Sequence, residues 1–64
     1  MNTDNISVQR RIEIVKAFAY GETPEQVAEA EGVSVDLVKT IQTEEALNIQ
    51  KEHQSLMKAG YINE

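Results

Sequence analysis

Residues 23–43 read TPEQVAEAEGVSVDLVKTIQT, and this stretch decides the fold. Thr23 and Gln26 have the spacing of a capping box, in which the threonine hydroxyl accepts from the third helical amide and the glutamine side chain reaches back to the cap. Pro24 falls at the first helical position, where a backbone N–H would have no partner within the helix, so the lack of an N–H in proline costs nothing there. The stretch therefore begins with a strong signal for a helix start.

A turn and another helix follow this start. Gly32 can supply the left-handed backbone that ends a helix, and we expect Val33 to fold back onto Ala28 just beyond it. Ser34 can cap the next helix. The apolar face of that helix consists of Val35, Leu37, Val38 and Ile41. Apolar and polar residues do not alternate over any β-branched run bounded by turns, so we predict an all-α fold.

A further helix is predicted ahead of this unit. Ser7 can cap it and Gly21 can end it, which gives a predicted span of Val8 to Tyr20. Its apolar stripe consists of Val8, Ile12, Val15 and Ala19, widened by Ile14 and Phe18. We expect residues 1–6 to form a flexible N-terminus and residues 7–64 to form a single domain with a C-terminal helical extension.

The chain beyond the second half of the unit has two interpretations. Nothing obligatory stops the third helix before Gly60, so it can run from Val35 to Ala59, on the order of 37 Å. Alternatively, Thr43 caps a fourth helix with Glu44 and Glu45 in its first turn. The two short helices cannot cover so long a third helix, so the first interpretation needs a partner for the distal half.

The residue types in this unit follow a recurring frame when they are counted from Pro24. A small residue lies at the position where two helices cross, and a glycine lies in the turn between them. The glycine is followed by an aliphatic residue and then by a residue that can cap the next helix. The positions that match are Val27, Ala28, Gly32, Val33, Ser34, Val38 and Ile41. The unit at residues 24–43 therefore resembles the bacterial and phage helix-turn-helix superfamily. It looks most like the simple three-helix versions in transposases, recombinases and the promoter-reading domain of sigma factors, and the resemblance covers residues 7–43.

The resemblance implies that the third helix recognises double-stranded DNA. The implied contacts from this helix are Ser34, Val35, Asp36, Lys39, Thr40, Gln42 and Thr43. Arg10, Arg11 and Lys16 of the first helix would contact the phosphate backbone. A small transcriptional regulator or recombination accessory, working as a dimer across two half-sites, is the function that this resemblance favours.

The charge distribution favours a different partner. The formal net charge is −5, and residues 21–36 contain five acidic residues and no basic one. These acids are Glu22, Glu25, Glu29, Glu31 and Asp36. Phosphate would repel them at the point where a helix-turn-helix unit approaches DNA. The alternative hypothesis is therefore an acidic helix-turn-helix scaffold that binds a protein with a basic surface, as an antirepressor or a phage-type inhibitor of a DNA-binding protein would.

A second apolar stripe lies in the C-terminal extension. It consists of Ala46, Ile49, His53 and Leu56, at helical spacing. It can cover the first helix within the chain, or it can form an interface, with a homodimer through the C-terminal helix as the leading case. His53 is the only histidine, and its place on this stripe favours a packed or interfacial role over metal ligation.

Several classes of function find no support in the sequence. The chain has no cysteine, which excludes disulfides and thiolate metal sites and fits a reducing, cytoplasmic location. No nucleophile lies in a catalytic context and no glycine-rich loop follows a strand, so we expect a non-enzymatic protein without cofactor or metal. No apolar run approaches the roughly 20 residues that cross a bilayer.

Overall fold

A computed structural model of the chain describes residues 7–62. It contains four helices in this part of the chain, and no strand: α1 (Val8–Ala19), α2 (Pro24–Glu31), α3 (Val35–Glu44) and α4 (Ala46–Ala59). The predicted all-α fold is confirmed. The predicted flexible segment at residues 1–6 lies outside the described residues.

Side-chain caps begin the first three helices, as their sequences predict. Ser7 Oγ accepts from Arg10 N at 3.1 Å, and Ser34 Oγ accepts from Leu37 N at 3.1 Å. At the start of α2 the capping box is complete: Thr23 Oγ1 accepts from Gln26 N, and Gln26 Oε1 accepts from Thr23 N at 2.9 Å. Each cap satisfies an amide that has no partner within its own helix, which fixes where the helix begins.

The turn between α2 and α3 depends on Gly32. Its φ of 70° lies in the left-handed region, which side chains other than glycine rarely adopt. The next residue then donates from Val33 N to Ala28 O at 3.1 Å, and the Val33 side chain packs against the core. A turn of residues 32–34 therefore sets the angle between the two helices.

The predicted break near Thr43 into a fourth helix is confirmed, whereas the predicted cap and the alternative of one long helix are wrong. The third helix is not continuous, and Thr43 does not cap the fourth, because its hydroxyl donates to Lys39 O at 3.2 Å. The break lies at Glu45, whose φ is −104° and ψ is 18°. Glu45 N donates to Ile41 O, and Glu45 O accepts from Ile49 N. Glu45 forms an ion pair with Arg11 of α1 at this position.

The last helix runs parallel to the first. Arg11 near the start of α1 contacts Glu45 at the start of α4, and Ala19 at the end of α1 contacts His53 further along α4. Both pairs are separated by 34 residues, so the two helices advance in the same direction. α1 contacts each of the other three helices, whereas α2 and α4 do not contact each other within residues 7–62.

The core lies where α1, α2 and α3 meet. Its buried residues are Ile14, Phe18, Ala19, Val27, Ala28, Val38 and Ile41. The predicted stripe on α1 is therefore partly wrong, since Val8 is 76% exposed and Ile12 is 44% exposed. α1 has two apolar stripes, and the one through Ile14 and Phe18 faces α2 and α3. α4 has no fully buried residue.

Replacing Ile41 by alanine tests this assignment of the core. Ile41 is completely buried, so Ile41→Ala should lower the free energy of unfolding by about 2–5 kcal/mol, which is enough to unfold much of so small a domain. Urea denaturation followed by circular dichroism measures the loss. Leu47→Ala is the matched control, because Leu47 is 73% exposed and its truncation should change stability by about 0.5 kcal/mol or less. Equal losses in the two variants would contradict the core described here.

Candidate functional site

The outer face of α3 is polar and carries charges of both signs. Six of its predicted contact residues are exposed: Ser34, Asp36, Lys39, Thr40, Gln42 and Thr43. Val35 is half-buried and packs against the core, so it contributes little to this face. The hydroxyls of Thr40 and Thr43 donate to carbonyls of their own helix at 3.0 and 3.2 Å. Lys39 is therefore the only cation on the part of α3 that a ligand could reach.

Arg10 binds the end of α2. Its guanidinium donates to the backbone carbonyl of Glu31, and Arg10 Nε lies 3.9 Å from Glu31 Oε1. A cation at this position complements the negative end of the α2 dipole. Arg10 thus links α1 to α2, with its charge turned toward a carboxylate of the same chain.

Arg11 binds the junction between α3 and α4. Arg11 Nη1 lies 3.2 Å from Glu44 Oε1 and 2.9 Å from Glu45 Oε2. Asn48 completes the network by donating to Glu45 Oε1 at 2.7 Å. The hydrogen bond from Asn48, followed by that from Arg11, lowers the pKa of the Glu45 carboxyl, and the hydrogen bond with Glu45 raises the pKa of Arg11. Both arginines of the chain therefore act as structural links.

The four basic residues predicted to bind phosphates or bases do not form one positive face. Arg10 and Arg11 are paired with carboxylates. Lys16 lines a groove between α1 and α4, and no residue of α2 or α3 lines that groove. Lys39 lies apart from it on α3. Among the described residues, these four predicted cations therefore do not combine into one positive surface.

The acidic residues around α2 have the opposite arrangement. Four of them are exposed and have no ion pair among residues 7–62: Glu22, Glu25, Glu29 and Asp36. We call these four residues the acidic set. Glu31, the fifth acid of residues 21–36, is neutralised by Arg10. The surface at α2 and the start of α3 is therefore anionic.

The stripe predicted on the C-terminal helix faces α1 over much of its length. Ile49 packs against the core, His53 Nδ1 lies 2.7 Å from Ala19 O, and Leu56 is half-buried while Ala46 is exposed. Most of this stripe is thus used within the chain. A partner on α4 has to use another face of the helix.

The described residues contain no group of three or more histidine, cysteine or acidic side chains that could hold a metal ion. None of the helices between residues 7 and 62 combines the length and the apolarity that a membrane crossing requires. Comparison of the chain with protein-family models, curated proteins and solved structures finds no match.

Sequence reasoning missed the network around Arg11, although the sequence holds an indirect sign of it. Arg11 has no acidic residue three or four positions away, and Glu44 and Glu45 have no basic residue at those distances. Charged residues on helices are commonly balanced at these spacings. Such unbalanced charges of opposite sign can partner each other across the fold, and here they do so over 33 and 34 residues.

The lowered pKa of Glu45 predicts a specific loss of stability in acid. A carboxyl whose pKa is lower in the folded than in the unfolded chain stabilises the fold fully above its unfolded pKa, and this stabilisation is lost as pH falls through the folded pKa. The unfolded value is near 4.5. Glu45→Gln removes this titration. Wild type should therefore lose more stability than Glu45→Gln between about pH 7 and pH 3, by a few tenths to about 1 kcal/mol for a partly exposed pair.

Urea denaturation of both proteins at the two pH values measures the difference. Glu13→Gln is the control, since the Glu13 carboxylate is exposed and accepts a hydrogen bond from Gln9 alone. The interpretation fails if Glu45→Gln and wild type lose the same stability on acidification.

Proposed function

We propose that this chain is a helix-turn-helix scaffold of the superfamily it resembles, and that it binds a protein with a basic surface through α2 and the start of α3. One observation carries the proposal. Both arginines form ion pairs with glutamates of the same chain, whereas the acidic set is exposed without ion pairs among residues 7–62. A polyanion would meet repulsion at this surface and a polycation would meet attraction.

The energetics of α2 support the same conclusion. Glu25 and Glu29 are one helical turn apart, where like charges destabilise a helix by a few tenths of a kcal/mol. Glu29 also lies toward the negative end of the helix dipole, and the last turn of α2 holds no basic residue. Glu25 and Asp36 have a structural explanation, since each lies in a first turn. Glu29 has none, so we assign its charge to binding.

The turn geometry supports a rigid binding surface. Gly32 and Val33 fix α3 against α2 through the turn bond to Ala28, and α1 supports both helices from beneath through the buried core. The carboxylates are thus displayed on a preorganised pair of helices. Preorganisation reduces the entropy lost on binding.

DNA binding is the second candidate. It is favoured by the exposed polar residues on α3, since Lys39, Gln42 and Thr43 are residue types that contact bases and phosphates when such a helix enters the major groove. It requires the few unpaired lysines to overcome the repulsion between phosphate and the acidic set. A dimer would double these contacts.

Charge reversal at α2 tests the protein-binding proposal. The tagged chain is crosslinked in nuclease-treated lysate, and the captured proteins are identified by mass spectrometry. Glu29→Lys should abolish capture of a partner with a basic surface. Glu13→Lys should not, because Glu13 is equally an exposed helical glutamate but lies on α1. Capture that occurs only in lysate without nuclease, or equal capture by the two variants, counts against the proposal.

A mobility shift with duplex DNA separates the two candidates. The protein-binding proposal expects no shift at about 50 mM salt, conditions that favour electrostatic binding. The DNA candidate expects a shift that weakens with salt, is lost in Lys39→Glu and persists in Lys58→Glu, an exposed lysine at the end of α4. A shift with this pattern would reverse the order of the two candidates.

A further inference from the structure

The parallel helices α1 and α4 leave an open groove between them, with a volume of about 390 Å³. One wall belongs to α1, where Val8, Ile12 and Val15 form an apolar row beside Arg11 and Lys16. The other wall belongs to α4 and is polar, with Lys51, Glu52 and Ser55 among its residues. α1 thus has an apolar face that α2 and α3 do not cover and that α4 covers only along one edge.

The apolar row has the spacing of a helix interface. Val8, Ile12 and Val15 are separated by four and three residues, which places them on one side of α1. Val8 is 76% exposed and Ile12 is 44% exposed. Isolated exposed apolar residues are common, but three in line along one wall of a groove mark a surface that gains from being covered.

The charged residues that line the groove indicate which kind of protein surface can bind in it. Lys16 on α1 and Lys51 on α4 have no ion pair among residues 7–62, and neither does Glu52 beside them. The groove therefore carries unpaired charges of both signs. Two copies related by a two-fold axis present the same surface to each other, so an acidic residue of one copy can meet a lysine of its partner. A foreign helix with charges of one sign would complement either the two lysines or Glu52, but not both.

We propose that this groove is where a second copy of the chain binds, apolar row against apolar row. The net charge of −5 does not oppose this contact strongly, because the acidic set lies on α2 and α3 and none of its members lines the groove. The two acidic surfaces therefore remain accessible in the dimer. This inference is independent of the proposed function, since the groove and the acidic set share no residue.

The size of the groove indicates a weak dimer. A standard stable interface covers about 800 Å² on each partner, which is somewhat under a fifth of the 4506 Å² surface of this chain. Three apolar residues and their charged neighbours cover less than that. We therefore expect a dissociation constant on the order of 10–100 µM, within the range of sedimentation equilibrium.

Sedimentation equilibrium of the purified full chain, up to about 1 mM, tests the proposal without any partner. The mass should rise with concentration from 7.2 kDa toward twice that value. Ile12→Glu should weaken association by about tenfold or more, as expected for a central apolar contact. Leu47→Glu makes the same change at an exposed residue of α4 that does not line the groove, and it should change association by less than about twofold.

A charge reversal gives an independent measurement. Glu52→Lys leaves three lysines and no unpaired acid in the groove, so it should weaken association, and added salt should reduce that defect. Circular dichroism shows whether each variant keeps its helices. The proposal is overturned if wild type stays monomeric at the highest concentration, which would leave the groove to another protein, or if Ile12→Glu and Leu47→Glu associate equally well.

Discussion

The contact between Arg11 and the two glutamates at the α3–α4 junction is the constraint on which the path of the last helix depends. It attaches the start of α1 to the point where the chain changes direction. With Glu45 held there and Ile49 packed against the core, α4 leaves the junction alongside α1, and its apolar stripe meets α1. The same contact engages one of the two arginines of the chain in an ion pair. The same interaction thus guides the path of α4 and makes Arg11 unavailable for a contact with DNA phosphate.

The unit formed by α2, the turn and α3 and the charge on its surface follow different physical requirements. Burial of Val38 and Ile41 and the left-handed backbone of Gly32 define the unit, and these features are compatible with any ligand. The exposed residues determine which ligand can bind, and the exposed charged residues of α2 are all acidic. Separation of a structural frame from its chemical surface is the usual way in which one fold serves several functions.

Local signals explain how much of this arrangement could be predicted from the sequence. Ser7, Thr23 and Ser34 each act on amides within three residues, and Gly32 acts on its own backbone, so the starts of α1 to α3 and the end of α2 were predictable. The break at Glu45, the pairing of Arg10 and the burial of Ile14 in preference to Ile12 depend on residues distant in sequence. Periodicity identifies two apolar stripes on α1 but cannot show which one faces the core. The candidate site was predictable as a set of exposed residues on α3, whereas the state of its cations depended on tertiary ion pairs.

The parallel course of α1 and α4 also determines how the domain would respond to a pulling force. Ser7 lies at the pole where α4 begins, and Ile62 lies beyond the opposite end of α4, a helix of 14 residues and so about 21 Å long. Tension applied through these two points acts along both helix axes and slides α1 past α4. The Arg11–Glu45 and His53–Ala19 contacts would then be loaded in shear at the same time, instead of opening one after the other. Anything tethered to the two points would project from opposite poles of the domain.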